Sequence, residues 1–459
     1  MPAETRMETR QTIWPADSQP VATAAPAEAI RIAEEREIFL SRLLRAYIST
    51  GLIFMLLPGT FLGVWNLLQI SGRKSVALVS PAWLQAHGHA QVFGWIGSFI
   101  FGIGFYSISK FRGTTKPAFG AAWVCWAMWT VGVAVRWVAN IYLVQWRLLL
   151  PLSGALELAA FLIFFRMVSQ HRPENSGKGR LEPWVWTVMS ASAGLMLTLI
   201  ANLAACIYLA LRSESPALSH ILDQRYLTLM TWGFLVPFVW GFSTKWMPVF
   251  LGLKPIRPRL LLSALVVNFV GVVLALEGWG TEATVFFVLG TTLVIAALRM
   301  FEPAQQEPKT RGVHPSFPFF VRMAHGWLFI AALLGVGAAL WDSSGGVWGA
   351  SRHALTVGFI AVTVLCVGQR VLPAFAGMRL LWSSRLMFGG LFLLTLGCAL
   401  RVSSEVLAYQ DYANWAWSLL PVSAFLELAG ITAFAMNIFG TFILEPSHVK
   451  KQPLIVRIK

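Results

Sequence analysis

Apolar stretches of about twenty residues, parted by short polar breaks, run along the chain from residue 44 to residue 438. A helix rises about 1.5 Å per residue, so each stretch is long enough to cross the hydrocarbon core of a bilayer. The pattern predicts twelve spans: Leu44–Trp65, His87–Ser109, Phe119–Val144, Leu148–Val168, Val185–Leu211, Leu227–Phe250, Leu260–Leu276, Ala283–Leu298, Phe319–Leu340, His353–Phe375, Leu386–Val406 and Trp415–Ile438. The predicted class is an all-α integral membrane protein. Residues 36–445 form its membrane domain, between a disordered tail over 1–35 and a basic tail over 446–459.

The polar positions repeat as well. His89-Ala-Gln-Val-Phe-Gly-Trp-Ile-Gly, Thr228-Leu-Met-Thr-Trp-Gly-Phe-Leu-Val and His353-Ala-Leu-Thr-Val-Gly-Phe-Ile-Ala align, with glycines at 94, 233 and 358. Further on, Phe111, Phe250 and Phe375 coincide, as do Gly113, Gly252 and Gly377. Pro248 matches Pro373 and Lys245 matches Arg370. Leu149-Leu-Pro-Leu-Ser-Gly-Ala-Leu-Glu-Leu returns as Leu419-Leu-Pro-Val-Ser-Ala-Phe-Leu-Glu-Leu. These segments fall in the second, sixth and tenth spans, and in the fourth and twelfth. The unit is therefore four helices used three times. Repeats are common in membrane proteins, but the commonest twelve-helix transporters repeat in sixes.

Composition agrees: 56% hydrophobic and 12% charged residues in 459 exceed what a water-soluble fold hides. A net charge of +15 would suit nucleic acid, but its distribution excludes that partner. With both termini inside, inward-facing segments carry 28 of the 36 Lys and Arg, so the charge reads as topology in the cytoplasmic (inner) membrane. No apolar core with a cleavage site precedes the first span, so that span is expected to direct insertion. Cys125, Cys206, Cys366 and Cys398 lie inside apolar spans without a C-x-x-C and read as packing residues.

An imidazole inside a membrane helix is costly and marks a functional site by default. His89 and His353 stand at matched positions, each with a glycine five residues on that would let a flat group approach. They suggest the two axial ligands of a haem; the competing reading is two polar residues at helix starts. His87 is two residues from His89, about 200° round the helix, so both cannot face one iron. It is a candidate for copper or a propionate, or a solvated residue at the helix start. Arg136 and Arg401 occupy matched places, and Arg352 precedes His353; all three could hold propionates, because a guanidinium suits a carboxylate. They could instead snorkel to the interface or pair with Glu157 and Glu427. Those two mid-membrane carboxylates must be protonated, paired or set in a polar cavity. Hydrogen bonds to neighbouring helices, a proton relay or metal ligation are the roles open to them.

His-x-His at His87–His89 and the His-Ala-Leu-Thr-Val-Gly string at His353–Gly358 resemble the NnrS family, and the likeness covers the chain after about residue 36. Twelve helices in three groups of four, with histidines on the second and tenth, also resemble the bundle of haem–copper oxidase subunit I. The resemblance implies haem, with copper as a further metal, and a role in redox handling or tolerance of nitric oxide, the electron donor being open. Carried over from the oxidase bundle, it makes His89 and His353 the axial pair. The chain departs from the oxidases at the binuclear copper. The sixth span has Thr228 in place of histidine, the seventh span has none, and the tenth span has one histidine where the oxidases have a pair. His325 reads as far in depth from the pair, and His171, His220, His314 and His448 as solvated. The expected function is therefore membrane haem chemistry without oxygen reduction. A reading of another class is a cofactor-free transporter or assembly factor.

Overall fold

The computed structural model describes residues 27–111, 119–169, 182–377 and 379–444. His171, His448, Gly113, residues 1–26 and the tail over 446–459 lie outside them. Twelve helices are long and apolar enough to span a membrane. In chain order they are Arg31–Arg73, Pro81–Ile108, Gly120–Tyr142, Trp146–Ser169, Pro183–Arg212, His220–Leu251, Pro258–Glu277, Gly280–Leu298, Phe317–Trp341, Gly346–Phe375, Ser384–Tyr409 and Ala416–Ile443. The first helical stretch starts at Ala27, within the segment expected to be disordered tail.

Three helices form the centre. In the second, sixth and tenth, 83%, 78% and 78% of the most apolar window is buried, against 33–56% for the other nine. The inner positions therefore go to the second helix of each four-helix unit. Around them, the third and fourth helices of each unit pack as a pair along their length: third on fourth, seventh on eighth, eleventh on twelfth. The fourth packs on the fifth, the eighth on the ninth, and the twelfth returns to the first, closing the ring.

The repeat extends to backbone geometry. The second helix opens as α-helix over Pro81–His89, widens to a π-helical segment over Ala90–Gly97 and resumes as α-helix. The sixth does the same over His220–Thr228 and Leu229–Leu235, and the tenth over Gly346–His353 and Ala354–Ala361. The widened turns begin immediately after His89, Thr228 and His353. Each inserts a residue without adding a turn, so side chains before it are rotated about 100° relative to those after it. A further π segment, Met55–Phe61, surrounds Pro58 in the first helix.

Two expectations change here. His87 and His353 are not helix-start residues: the helices begin at Pro81 and Gly346, two turns earlier. The glycines five residues beyond the aligned positions do not face open space. A methyl group on Gly94 would lie 2.7 Å from Phe54 Cβ, and one on Gly358 2.6 Å from Trp327 Cγ. Gly194 approaches the Gly233 carbonyl too closely for any side chain. In the outer two units the first helix fills the space beside the glycine, and in the middle unit the close crossing is made at Gly194 of the fifth helix.

Candidate functional site

Glu157 is built into the fourth helix opposite Gly132 of the third, where a Cβ would lie 2.9 Å from its Cγ. The missing side chain lets the carboxylate stem enter the bundle, where its head is fully buried. His89 Nε2 lies 2.7 Å from Glu157 Oε1, and Asn202 Nδ2 of the fifth helix donates to Oε2 at 3.0 Å. The Ser153 hydroxyl sits 3.3 Å from Oε1 and 2.8 Å from the Gly132 carbonyl. Arg136 of the third helix reaches Asn202 Oδ1 at 3.4 Å and touches the Cys206 sulfur. A carboxylate left alone there would be costly; with three partners its acceptors are satisfied.

The third unit repeats the arrangement. Gly397 of the eleventh helix makes room for Glu427 of the twelfth, a Cβ there lying 2.7 Å from its Cγ. His353 Nε2 stands 3.0 and 3.1 Å from the two Glu427 oxygens. This pair is more open than the first. The side chains of His353 and Glu427 are 24% and 10% exposed, those of His89 and Glu157 5% and 0%. A carboxylate accepts at Nε2, which leaves Nδ1 of each neutral imidazole as the lone-pair nitrogen. Such carboxylate–histidine pairs orient metal-binding imidazoles and raise their basicity.

His87 turns away from His89. Its Nδ1 donates to the Gly59 carbonyl at 2.8 Å, within the π segment of the first helix, and its ring lies against Gly63. A carbonyl only accepts, so the neutral ring carries its proton on Nδ1 and keeps a lone pair on Nε2. The side chain is within electrostatic reach of His353, Glu427 and Arg401. The two histidines of the second helix thus belong to different neighbourhoods, His89 to the first unit and His87 to the seam with the third.

The arginines do not bond Glu157 or Glu427 directly. Arg401 pairs with Glu405 one turn on, at 3.1 and 3.3 Å, leaving Nη1 buried without a partner. Arg136 is linked to Glu157 through Asn202, and its Nε is likewise buried and unpartnered. Arg352 is in electrostatic reach of Asp223 at the start of the sixth helix. His325 is fully buried, its Nδ1 2.9 Å from the Val321 carbonyl and its ring edge-on to Phe359. His220 and His314 keep to local partners, Gln224 and Ser316.

Sequence reasoning missed Asn202, Ser153 and Glu405. The signal for Ser153 lay in the repeat, since Ser423 stands at the same offset from Glu427. Asn202 has no counterpart that alignment would have exposed. The four cysteines are free and buried, in keeping with packing, although Cys206 also meets Arg136. Among the described residues no three His, Cys, Asp or Glu side chains converge as a metal-binding group.

These features define a polytopic membrane protein with two histidine–carboxylate pairs built into a threefold-repeated bundle. A family model described as NnrS protein matches residues 36–446, and the chain belongs to the NnrS family. No curated protein matches it.

Proposed function

We propose that this protein is a membrane haem protein that handles nitric oxide in the cytoplasmic membrane, with His89 and His353 as haem ligands. The observation that carries this reading is the mirrored pair of intramembrane imidazoles, one buried and one half-buried, each backed by a carboxylate from the fourth helix of its unit. The donor set fits a haem. A haem iron takes at most two ligands from the protein, whereas a bare zinc or copper ion needs three or four, and no such group converges among the described residues. Buried guanidinium N–H groups without partners on Arg136 and Arg401 suit propionates, with Arg352 a third candidate. When bound, the group would supply one-electron redox chemistry and affinity for nitric oxide. Copper, which the family likeness implies, does not fit by the same measure: His87, its candidate, offers one lone pair on Nε2 and no second or third ligand converges there among the described residues.

The chain's own residues do the rest. Glu157 and Glu427 hold the imidazoles in one tautomer and orientation and increase their basicity. Asn202 and Ser153 fix Glu157, so that His89 is set by a network of three helices. The greater exposure of His353 makes it the more accessible ligand and the one from which an incoming small molecule would displace a contact. Absorbance of the purified protein in the Soret region tests the reading, with and without nitric oxide. His89→Ala and His353→Ala should each abolish or alter the spectrum, and His314→Ala should leave it unchanged. Wild-type protein without a Soret band after haem supplementation, or unaltered spectra in both ligand variants, would overturn it.

A further inference from the structure

Between the three inner helices, below the histidines, lies a cavity of about 90 Å³. Ile96 and Ile100 face it from the second helix, Leu235 and Val239 from the sixth, Val364 and Val367 from the tenth. It starts about 10 Å beyond His89 along the second helix, taking 1.5 Å per residue. Equivalent helices of all three units contribute, so the cavity sits on the axis of the repeat rather than within one unit. The void follows from composition. The inner helices line the centre with β-branched residues and with Phe99, Phe238, Phe242 and Trp246, whose rigid shapes do not fill it, and Gly368 adds no side chain.

Its polar content is small. Ser243 and Thr363 reach the lining, and both hydroxyl oxygens are buried without a hydrogen-bond partner. A buried water makes two to four hydrogen bonds, and these two hydroxyls meet only the lower limit, so the aliphatic and aromatic walls favour an apolar occupant. Apolar cavities of roughly 150 Å³ stay dry and take up xenon or benzene. One of similar lining and smaller volume excludes an aromatic ring, yet holds a molecule of two or three heavy atoms. The occupant must be small, uncharged and content without hydrogen bonds.

We propose that this axial cavity is a holding site for a small apolar gas molecule, placed between the helices that carry His89 and His353. Its identification with nitric oxide in particular rests on the function proposed above; the cavity itself does not. The site concentrates a sparingly soluble gas next to the histidine-bearing segments, because transfer from water into a dry apolar void is favourable.

Xenon is the probe. Purified full-length protein in nanodiscs would be titrated with xenon and followed by xenon NMR. Wild type should show saturable binding. Val239→Phe and Val367→Phe, each filling the cavity from a different helix, should lose it while retaining the wild-type circular dichroism. Thr363→Val removes an unpartnered hydroxyl at nearly constant shape; it should keep xenon binding and raise the unfolding temperature. Absence of saturable binding in wild type, as when a lipid chain fills the space, overturns the proposal. So does xenon binding that survives both phenylalanine substitutions, or a Thr363→Val protein that is less stable and no longer binds xenon, the signature of an ordered water. Failure of the haem reading would appear in the absorbance spectrum and leave the xenon titration unchanged.

Discussion

The first and middle units share a backbone and differ in what it holds. In the first, Gly132 admits Glu157, which meets His89. In the middle unit, Gly271 stands in the matching place but admits Phe287, 2.8 Å from where a Cβ would be. Phe287 stacks on Trp232 at 4.4 Å and 7°. Thr228, at the histidine position, only donates to the Gln224 carbonyl one turn back. Yet the π segment follows Thr228 as it follows His89 and His353. The widened turn therefore does not depend on an imidazole, and the bundle closes without the polar pair. An aromatic stack does for packing what the histidine–carboxylate pair does elsewhere, without burying an ionisable group. Two units carry the costlier solution, which is what the proposed function calls for.

The largest test of this contrast is Glu157→Leu. Removing one partner of a fully buried pair strands His89 and Asn202 and should cost about 3–5 kcal/mol. Glu427→Leu, in the more open pair, should cost about half of that or less, because His353 is less fully enclosed by the bundle. Thermal unfolding in detergent would show both, and equal shifts would erase the distinction between the two pairs. Next comes Gly194→Ala. A methyl group there runs into the Gly233 carbonyl, and the backbone must move, costing about 1–3 kcal/mol. An unchanged unfolding temperature would mean that the helices of the middle unit are not in close contact.

A graft sharpens the comparison. Phe287→Glu alone buries a carboxylate without a partner and should be strongly destabilising. Combined with Thr228→His it should recover stability, with a coupling of about 1 kcal/mol or more in a double-mutant cycle. No coupling would show that the matched backbone does not suffice to bring the pair together. The smallest effect lies at the opposite end of the bundle, between Lys245 and its match Arg370. Lys245 bonds Glu182 at 2.7 Å, whereas Arg370 lies over the Phe250 ring. The Lys245 ammonium and the Trp184 indole N–H hold the Glu182 carboxyl below its usual value of 4.5. A depressed folded value contributes its full stability above the unfolded value of 4.5, and that contribution falls away as pH drops from there through the lower folded value. It amounts to a few tenths of a kcal/mol, because the pair is exposed. Lys245→Gln should remove that acid dependence and Arg370→Gln should not, measured as unfolding temperature between pH 3 and 6.

Much of this was legible in the chain. Twelve helices follow from runs of apolar residues, because the bilayer leaves backbone groups no partner but the helix itself. The fourfold unit followed from aligned glycines, and Gly252 and Gly377 indeed end their helices at positive φ, 64° and 103°. The carboxylates and histidines were visible as costly residues in apolar surroundings. Their pairing was not. Glu157 and His89 are 68 residues apart and Glu427 and His353 74, so contact depends on how each helix is rotated about its axis.

That rotation is what the tertiary structure decided. A π turn shifts the register of a helix face by about 100°, and the sequence patterns around His89, Thr228 and His353 do not announce one. A wheel drawn with regular turns therefore places His87 and His89 wrongly relative to the apolar face that follows. Packing settled which side each ring takes: His87 toward the first helix and the seam with the third unit, His89 toward Glu157. The sequence by itself determined which residues enter the membrane and how often the pattern recurs, since both depend on local hydrophobicity and spacing. Which imidazole meets which carboxylate depends on helix rotation and close approach at glycines, and these exist only once all twelve helices are packed.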